Sequence, residues 1–265
     1  MIAEVPQADA PVLLWRQGAV VHLRFNRPAS LNAIDLALAR AFRQACQALH
    51  QDAQLRVVVI SAEGRAFMAG GDLPSMRADP VGASTALIEQ MHPALEILAE
   101  LKAPVIASLH GAVAGAGLGV ALACDLVIAA AGTRFNLAYP RIGTSSDCGT
   151  SWGLVRAVGA RKAMEIALLN EAIDAEEAQR IGLINRVVPA DTLAEQTALL
   201  AERLENSAPM AMAHLKELIG CADRNDLHTH LELEARLFRR CAATADFTEG
   251  MTAFVEKRPA RFQGR

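Results

Sequence analysis

The stretch IGTSSDCGTSWG, residues 142–153, carries a single carboxylate, Asp147, in polar, glycine-punctuated chain. An acid so isolated has two uses. It can do acid–base or nucleophilic chemistry, or it can cap a helix that starts near Thr150. Two glycine-rich turns offer complementary chemistry: EGRAFMAGGDL, residues 63–73, and HGAVAGAGLGVALACD, residues 110–125, each following an apolar run. Small residues let a ligand approach the main chain there, and a helix that begins at such a turn aims unpaired N–H groups at an anion or a developing oxyanion. Two such turns supply the parts of a two-donor oxyanion hole.

Other chemistries fit less well. The dinucleotide fingerprint G-x-G-x-x-G finds Gly115 and Gly117, but Val120 stands at its third glycine and no acidic residue occurs over 126–146 to bind a ribose. No phosphate loop is present. His228, His230, Glu232 and Glu234 lie two apart, and on a helix such neighbours do not share a face, so no metal site is expected. Ser145, Ser146 and Cys148 flank Asp147 without a base assigned to them.

These groups must be held by regular elements. PVLLWRQGAVVHLRFNRP predicts a hairpin about Gln17-Gly18, because apolar residues alternate on either side. Residues 35–50 have helical apolar spacing, LRVVVISAEG is a continuous buried strand, and 83–101 is again helical. APVIASLHG is a strand, 117–123 a short helix and CDLVIAAAG another strand. Beyond Thr150 the chain is mostly helical, with an N-cap at Asp174 and further helices from Thr192, Pro209 and Leu227. The fold class is α/β, with a layered core over 1–200 and a helical region over 201–265.

A chain of 265 residues that is 52% apolar, with net charge -3, has ample core and no broad basic surface, so nucleic acid is not an expected partner. No apolar run is long enough for a membrane span. Five scattered cysteines without a C-x-x-C pair fit a reducing cytoplasm.

LRFNRPASLNAI, GRAFMAGGDL, APVIASLHGAVAGAGLGVALACDLVIAA, AEEAQRIGLINRVVP and EGMTAFVEKRPARF together resemble the crotonase superfamily, the enoyl-CoA hydratase/isomerase family, along nearly the whole chain. The resemblance implies a crotonase-like spiral of ββα turns with a C-terminal helical extension that assembles a homotrimer or a dimer of trimers. It implies an acyl-CoA substrate, with coenzyme A entering as part of that substrate and no separate cofactor. Its oxyanion donors fall on Ala69 and Ala116. Gly70, Gly117, Gly119, Tyr139, Arg141 and Trp152 fall along the acyl group. Arg27, Leu31 and Arg65 fall at the CoA end, joined by Phe254 and Lys257 from a neighbouring subunit. A lysine often follows the Arg-Pro of the first motif in related proteins, and Ala29 replaces it here.

Hydratases of this family position water with two glutamates, and this chain has Gly119 and Arg141 at those positions. Neither replaces a glutamate as general acid or base. Asp147 aligns with a carboxylate that some enoyl-CoA isomerases use as a base, and a single carboxylate suffices to move a proton along an acyl chain. The region is also similar to 4-chlorobenzoyl-CoA dehalogenase, in which the carboxylate is a nucleophile. His92 falls at the water-activating histidine of that enzyme, and Tyr139 at a tryptophan. Three readings follow: an isomerase with Asp147 as proton shuttle, a hydrolytic aryl-CoA enzyme using Asp147 and His92, or a silent protein that binds CoA esters.

Overall fold

The hairpin forms as predicted: β1 (Val12–Gln17) and β2 (Val20–Phe25) pair antiparallel in the computed structural model, which describes residues 2–265. From β2 onward the chain winds as a spiral. Each turn gives one strand to a large parallel sheet, one short segment to a second layer and one helix to the outside. The first turn runs from β2 through the bridge residue Ile34 into α1 (Leu36–His50), and the second from β3 (Val57–Ala62) through Met68 and Gly71 into α2 (Leu73–Met76) and α3 (Pro80–Glu100). The third is β4 (Val105–Leu109), β5 (Ala112–Ala114) and α4 (Ala116–Leu122); the fourth is β6 (Leu126–Ala130), β7 (Arg134–Asn136) and α5 (Thr150–Leu169). Then β8 (Ile173–Asp174), α6 (Ala175–Arg180) and β9 (Arg186–Val188) complete a six-stranded sheet of order β1-β2-β3-β4-β6-β9 and a smaller sheet of order β5-β7-β8.

The helices follow from apolar spacing and caps. Asp35, Asp79 and Asp174 each accept an N–H three residues on, which starts α1, α3 and α6. In α1 the buried positions Leu38, Phe42, Cys46 and Leu49 recur at three to four residues, and Phe42 joins Phe25 and Phe67 in an aromatic cluster under the sheet. Each such side chain contributes roughly 1.5–3 kcal/mol on burial. Pro93 lies inside α3 and has no N–H for the Glu89 carbonyl, which accepts Arg43 Nη1 of α1 at 3.4 Å instead.

On the opposite face of the large sheet, α7 (Leu193–Glu205) packs Ala201 against Val20, Val57, Ile106 and Ile128, and Thr197 bonds Ser108 at 2.9 Å. The layered core therefore runs through Glu205, and the boundary expected at residue 200 falls inside α7. The helices α8 (Pro209–Cys221), α9 (Leu227–Ala242) and α10 (Ala245–Glu256) follow. Lys216 of α8 ties them back, 2.7 Å from Asp125 Oδ2, which also accepts the Val105 N–H. Sequence patterning did not separate α10 from α9; Thr244 restarts the helix by capping Phe247 N. It also missed β5, β7 and β8, which are too short to show a period. Among the described residues no helix is long and apolar enough to cross a membrane.

The loop between β2 and α1 is set by Asn32, whose side chain is wholly buried. Its Oδ1 accepts Arg27 N at 2.8 Å, and its Nδ2 donates to Glu63 O at 2.9 Å and Ala66 O at 2.8 Å. Two turns of the spiral are thus joined through one amide. Asn32→Ala strands one donor and two acceptors, so it is expected to destabilise the protein by roughly 3 kcal/mol, read as a lower urea midpoint at unchanged slope.

Candidate active site

The two glycine-rich turns meet. Gly70 holds φ 104°, a backbone that a residue with a side chain rarely adopts, and it lies against the third turn: a Cβ there would be in contact with Ala114 O at 3.4 Å and Gly115 Cα at 3.7 Å. Gly115 reciprocates at 3.4 Å from Gly70 Cα, and a Cβ on Gly117 would fall 2.7 Å from Met68 Cβ and from the Met68 carbonyl oxygen. Backbone conformation therefore accounts for glycine at 70, and close packing on Met68 for glycine at 117. Where the turns touch, the N–H of Ala116, first residue of α4, donates to nothing among the described residues. Ala69 does not behave as expected. Its N–H donates to the Leu31 carbonyl at 3.1 Å, so it is not free to hold a ligand oxygen. The unpaired N–H groups of that turn among the described residues belong to Gly70 and Gly71, the latter at the bridge to Ile34; patterning missed Gly71 because the register is set by Leu31 from the preceding spiral turn.

One helical turn further along α4, Gly119 is packed against the segment that carries Asp147. A Cβ on Gly119 would lie 2.5 Å from Cys148 O and 2.6 Å from Thr150 Oγ1. Asp147 does not cap α5 with its side chain: the cap position is Gly149, in left-handed backbone, with no side-chain bond. The Asp147 backbone carbonyl accepts Thr150 N and Thr150 Oγ1, while its carboxylate accepts the phenol of Tyr139. His92 reaches the same segment from α3, its Nε2 accepting the Cys148 N–H at 3.3 Å. The structure thus brings Asp147, Tyr139, His92 and Gly119 together.

Burial, and then the charge of Asp147, push the Cys148 thiol and the Tyr139 phenol far above their ordinary ranges. Both stay protonated, so Cys148 is no thiolate nucleophile. Among the described residues no group of three ligating side chains is close enough for a metal ion.

The residues expected at the CoA end divide. Arg27 is not available to a phosphate, because its guanidinium lies 3.0 Å from Asp35 and 3.1 Å from Asp72 and also donates to the Ala33 carbonyl. It joins the capping carboxylates of α1 and α2 beside Gly71. Leu31, in left-handed backbone, contributes its carbonyl to Ala69. Arg65 is exposed, as are Lys257 at the end of α10 and Phe254, 86% accessible. Arg141 turns its guanidinium to the Asn170 carbonyl at 3.4 Å. Trp152, 62% accessible, carries Arg156 over its ring at 4.6 Å.

A spiral of ββα turns that closes two glycine turns onto each other defines the crotonase class. A family model for enoyl-CoA hydratase/isomerase matches residues 16–265. The 1,2-epoxyphenylacetyl-CoA isomerase of Escherichia coli (strain K12) is 35% identical over 258 residues, covering 96% of this chain and 98% of that protein. The 2,3-dehydroadipyl-CoA hydratase of the same strain is 34% identical over 257 residues, covering 96% and 99%. Among solved structures, an enoyl-CoA hydratase from Polaromonas sp. JS666 matches with a TM-score of 0.89 at 33% identity, covering 95% of this chain and 99% of that one. The chain belongs to the enoyl-CoA hydratase/isomerase family, as an acyl-CoA enzyme.

Because Cys148 and Thr150 fill the space beside Gly119, a glutamate there cannot be restored by substitution alone. Gly119→Ala is expected to lower thermal stability by about 1–3 kcal/mol. Gly119→Glu is expected to lower it further without gaining hydration of trans-2-butenoyl-CoA. A stable, hydrating Gly119→Glu protein would contradict this packing.

Proposed function

We propose that the chain isomerises enoyl-CoA thioesters, with Asp147 carrying one proton and the N–H groups of Gly71 and Ala116 holding the thioester oxygen. The observation that carries this reading is the packing at Gly119. Where a family hydratase has a glutamate on α4, this chain has the Cys148 backbone and Thr150, and the carboxylate beside α4 is Asp147. Hydration needs water activated and a second proton delivered, whereas isomerisation needs a single base. Asp147 removes the proton on the carbon between thioester and double bond, and the electron pair spreads into a dienolate whose charge rests on the thioester oxygen. The proton returns at the far carbon and leaves the double bond conjugated. Each backbone donor contributes roughly 3–4 kcal/mol to holding that oxyanion. Of the relatives named as isomerases, one acts on an epoxide and one is a trans-2-decenoyl-[acyl-carrier-protein] isomerase, 31% identical over 250 residues; the second supports double-bond isomerisation.

Coenzyme A enters as part of the substrate. The apolar side chains that α8 to α10 leave exposed, among them Ile219, Leu231, Phe238 and Phe254, support a homotrimer in which Phe254 and Lys257 approach a neighbouring subunit's CoA.

Wild type, Asp147→Asn and His92→Gln are to be assayed on trans-3-hexenoyl-CoA, trans-2-butenoyl-CoA and 4-chlorobenzoyl-CoA. Conversion of the 3-enoyl to the 2-enoyl ester is expected, falling by roughly 10²–10⁴ in Asp147→Asn and surviving in His92→Gln. Halide release that needs both residues would overturn the reading in favour of hydrolytic aryl-CoA chemistry. CoA-ester binding without turnover would overturn it in favour of a silent binder.

A further inference from the structure

The one O–H or N–H that holds the Asp147 carboxylate among the described residues comes from Tyr139. Oδ1 accepts the Tyr139 O–H, which also lies 3.4 Å from the Asp147 carbonyl oxygen and 3.5 Å from Thr150 Oγ1. The Cys148 thiol, a weak donor, also approaches the carboxylate, whereas Oδ2 accepts no N–H or O–H from the described residues. Tyr139 is 8% accessible and Thr150 wholly buried, so the phenol has nowhere else to turn.

The backbone on either side is locked as well. Ala138 and Cys148, directly before Tyr139 and after Asp147, both have left-handed backbone, at φ 66° and 51°. The N–H of each is held by a side chain from elsewhere: Ala138 N by Asn170 Oδ1 at 2.9 Å and Cys148 N by His92 Nε2 at 3.3 Å. Unusual backbone that is over-determined in this way fixes the groups it carries. An unrestrained carboxylate exchanges its oxygens by rotating about a soft terminal torsion. This one is pinned.

Resting on the isomerase reading, we infer that Tyr139 is a positioning residue that confines the travelling proton to Oδ2 of Asp147, so that one atom both removes and returns it on one face of the substrate. Oδ2 takes the proton from C2 and the C2–H electron pair enters the dienolate. Oδ1, now the carbonyl oxygen of a carboxylic acid, still accepts the Tyr139 O–H. The Oδ2–H proton then passes to C4, whose new bond uses the former C3=C4 pair, leaving C2=C3. The carboxylate is regenerated and no atom is gained or lost. Burial keeps the phenol protonated throughout, joined by the charge of Asp147 while that residue is ionised, so Tyr139 donates in both states. The titratable and charged groups about Asp147 are Tyr139, Cys148 and, from α3, His92, with Arg141 turned to Asn170.

Tyr139 is the only tyrosine in the chain, so biosynthetic 3,5-difluorotyrosine alters this one phenol with minimal change of shape. The assay uses trans-3-hexenoyl-CoA deuterated at C2. Wild type is expected to deliver part of the label to C4. In Tyr139→Phe, kcat should fall about tenfold to a hundredfold with KM unchanged, and the label should be lost to solvent. Difluorotyrosine is a stronger donor of the same shape, so its protein should deliver at least the wild-type share of label to C4. Less label at C4 in the difluorotyrosine protein than in wild type, a readout that keeps the test open should Tyr139→Phe misfold, overturns the inference alone; so does label retention in Tyr139→Phe equal to wild type. Absence of isomerisation by wild type overturns the parent reading and this inference with it.

Discussion

Main chain from two spiral turns comes into contact at Gly70 and Gly115, and the rest of the molecule is arranged to hold that contact. No side chain stands between them, so the position of each turn is decided by hydrogen bonds made behind it. Leu31 takes the Ala69 N–H, Ala112 takes the Met68 N–H and Met68 takes the Ala114 N–H. Asn32 and Arg27 fix the loop that supplies the Leu31 carbonyl, one through a saturated buried amide and the other through two helix-capping carboxylates. A shift of a few tenths of an ångström in any of these would be felt at Gly71 and Ala116, because close-packed interiors transmit displacement.

The same logic joins two features that look separate in the sequence. Gly119 reads as a missing glutamate and Asp147 as an added acid, but a side chain at 119 and the segment 147–150 compete for one space. They are one structural choice. Once the segment lies against α4, Cys148 in left-handed backbone needs a partner for its N–H, and His92 provides it, as Asn170 does for Ala138 before Tyr139. His92 therefore has a structural task whatever chemistry it takes part in: its Nε2 lone pair is already directed at Cys148 N.

Much of this was legible from residue order. The hairpin, the alternation of strand and helix and the cap at Asp174 follow from local spacing and turn chemistry, and both glycine turns stand out in it. What escaped depends on distant partners. The spacing of AFMAGGD does not say which N–H is free; the Leu31 carbonyl, more than thirty residues earlier, takes Ala69 and leaves Gly71. Arg27 reads as a surface cation until Asp35 and Asp72 are seen around it. Asp147 lies where a cap would stand, yet Gly149 occupies the cap position, and the Tyr139 phenol directs the carboxylate elsewhere.

Full charges near Asp147 and the two glycine turns are neutralised or turned aside. Arg27 is neutralised by two carboxylates and Arg141 is directed at Asn170. A guanidinium against Asp147 would stabilise its charged form and weaken it as a base, while one against the thioester oxygen would favour a fully formed enolate over its transition state. Backbone dipoles avoid both effects, since they are fixed before substrate arrives and carry no net charge. A neutral phenol does the same for Asp147: it orients the carboxylate through one hydrogen bond rather than an ion pair. Under the isomerase reading, the combination leaves one carboxylate oriented to take a proton beside a thioester and to give it back.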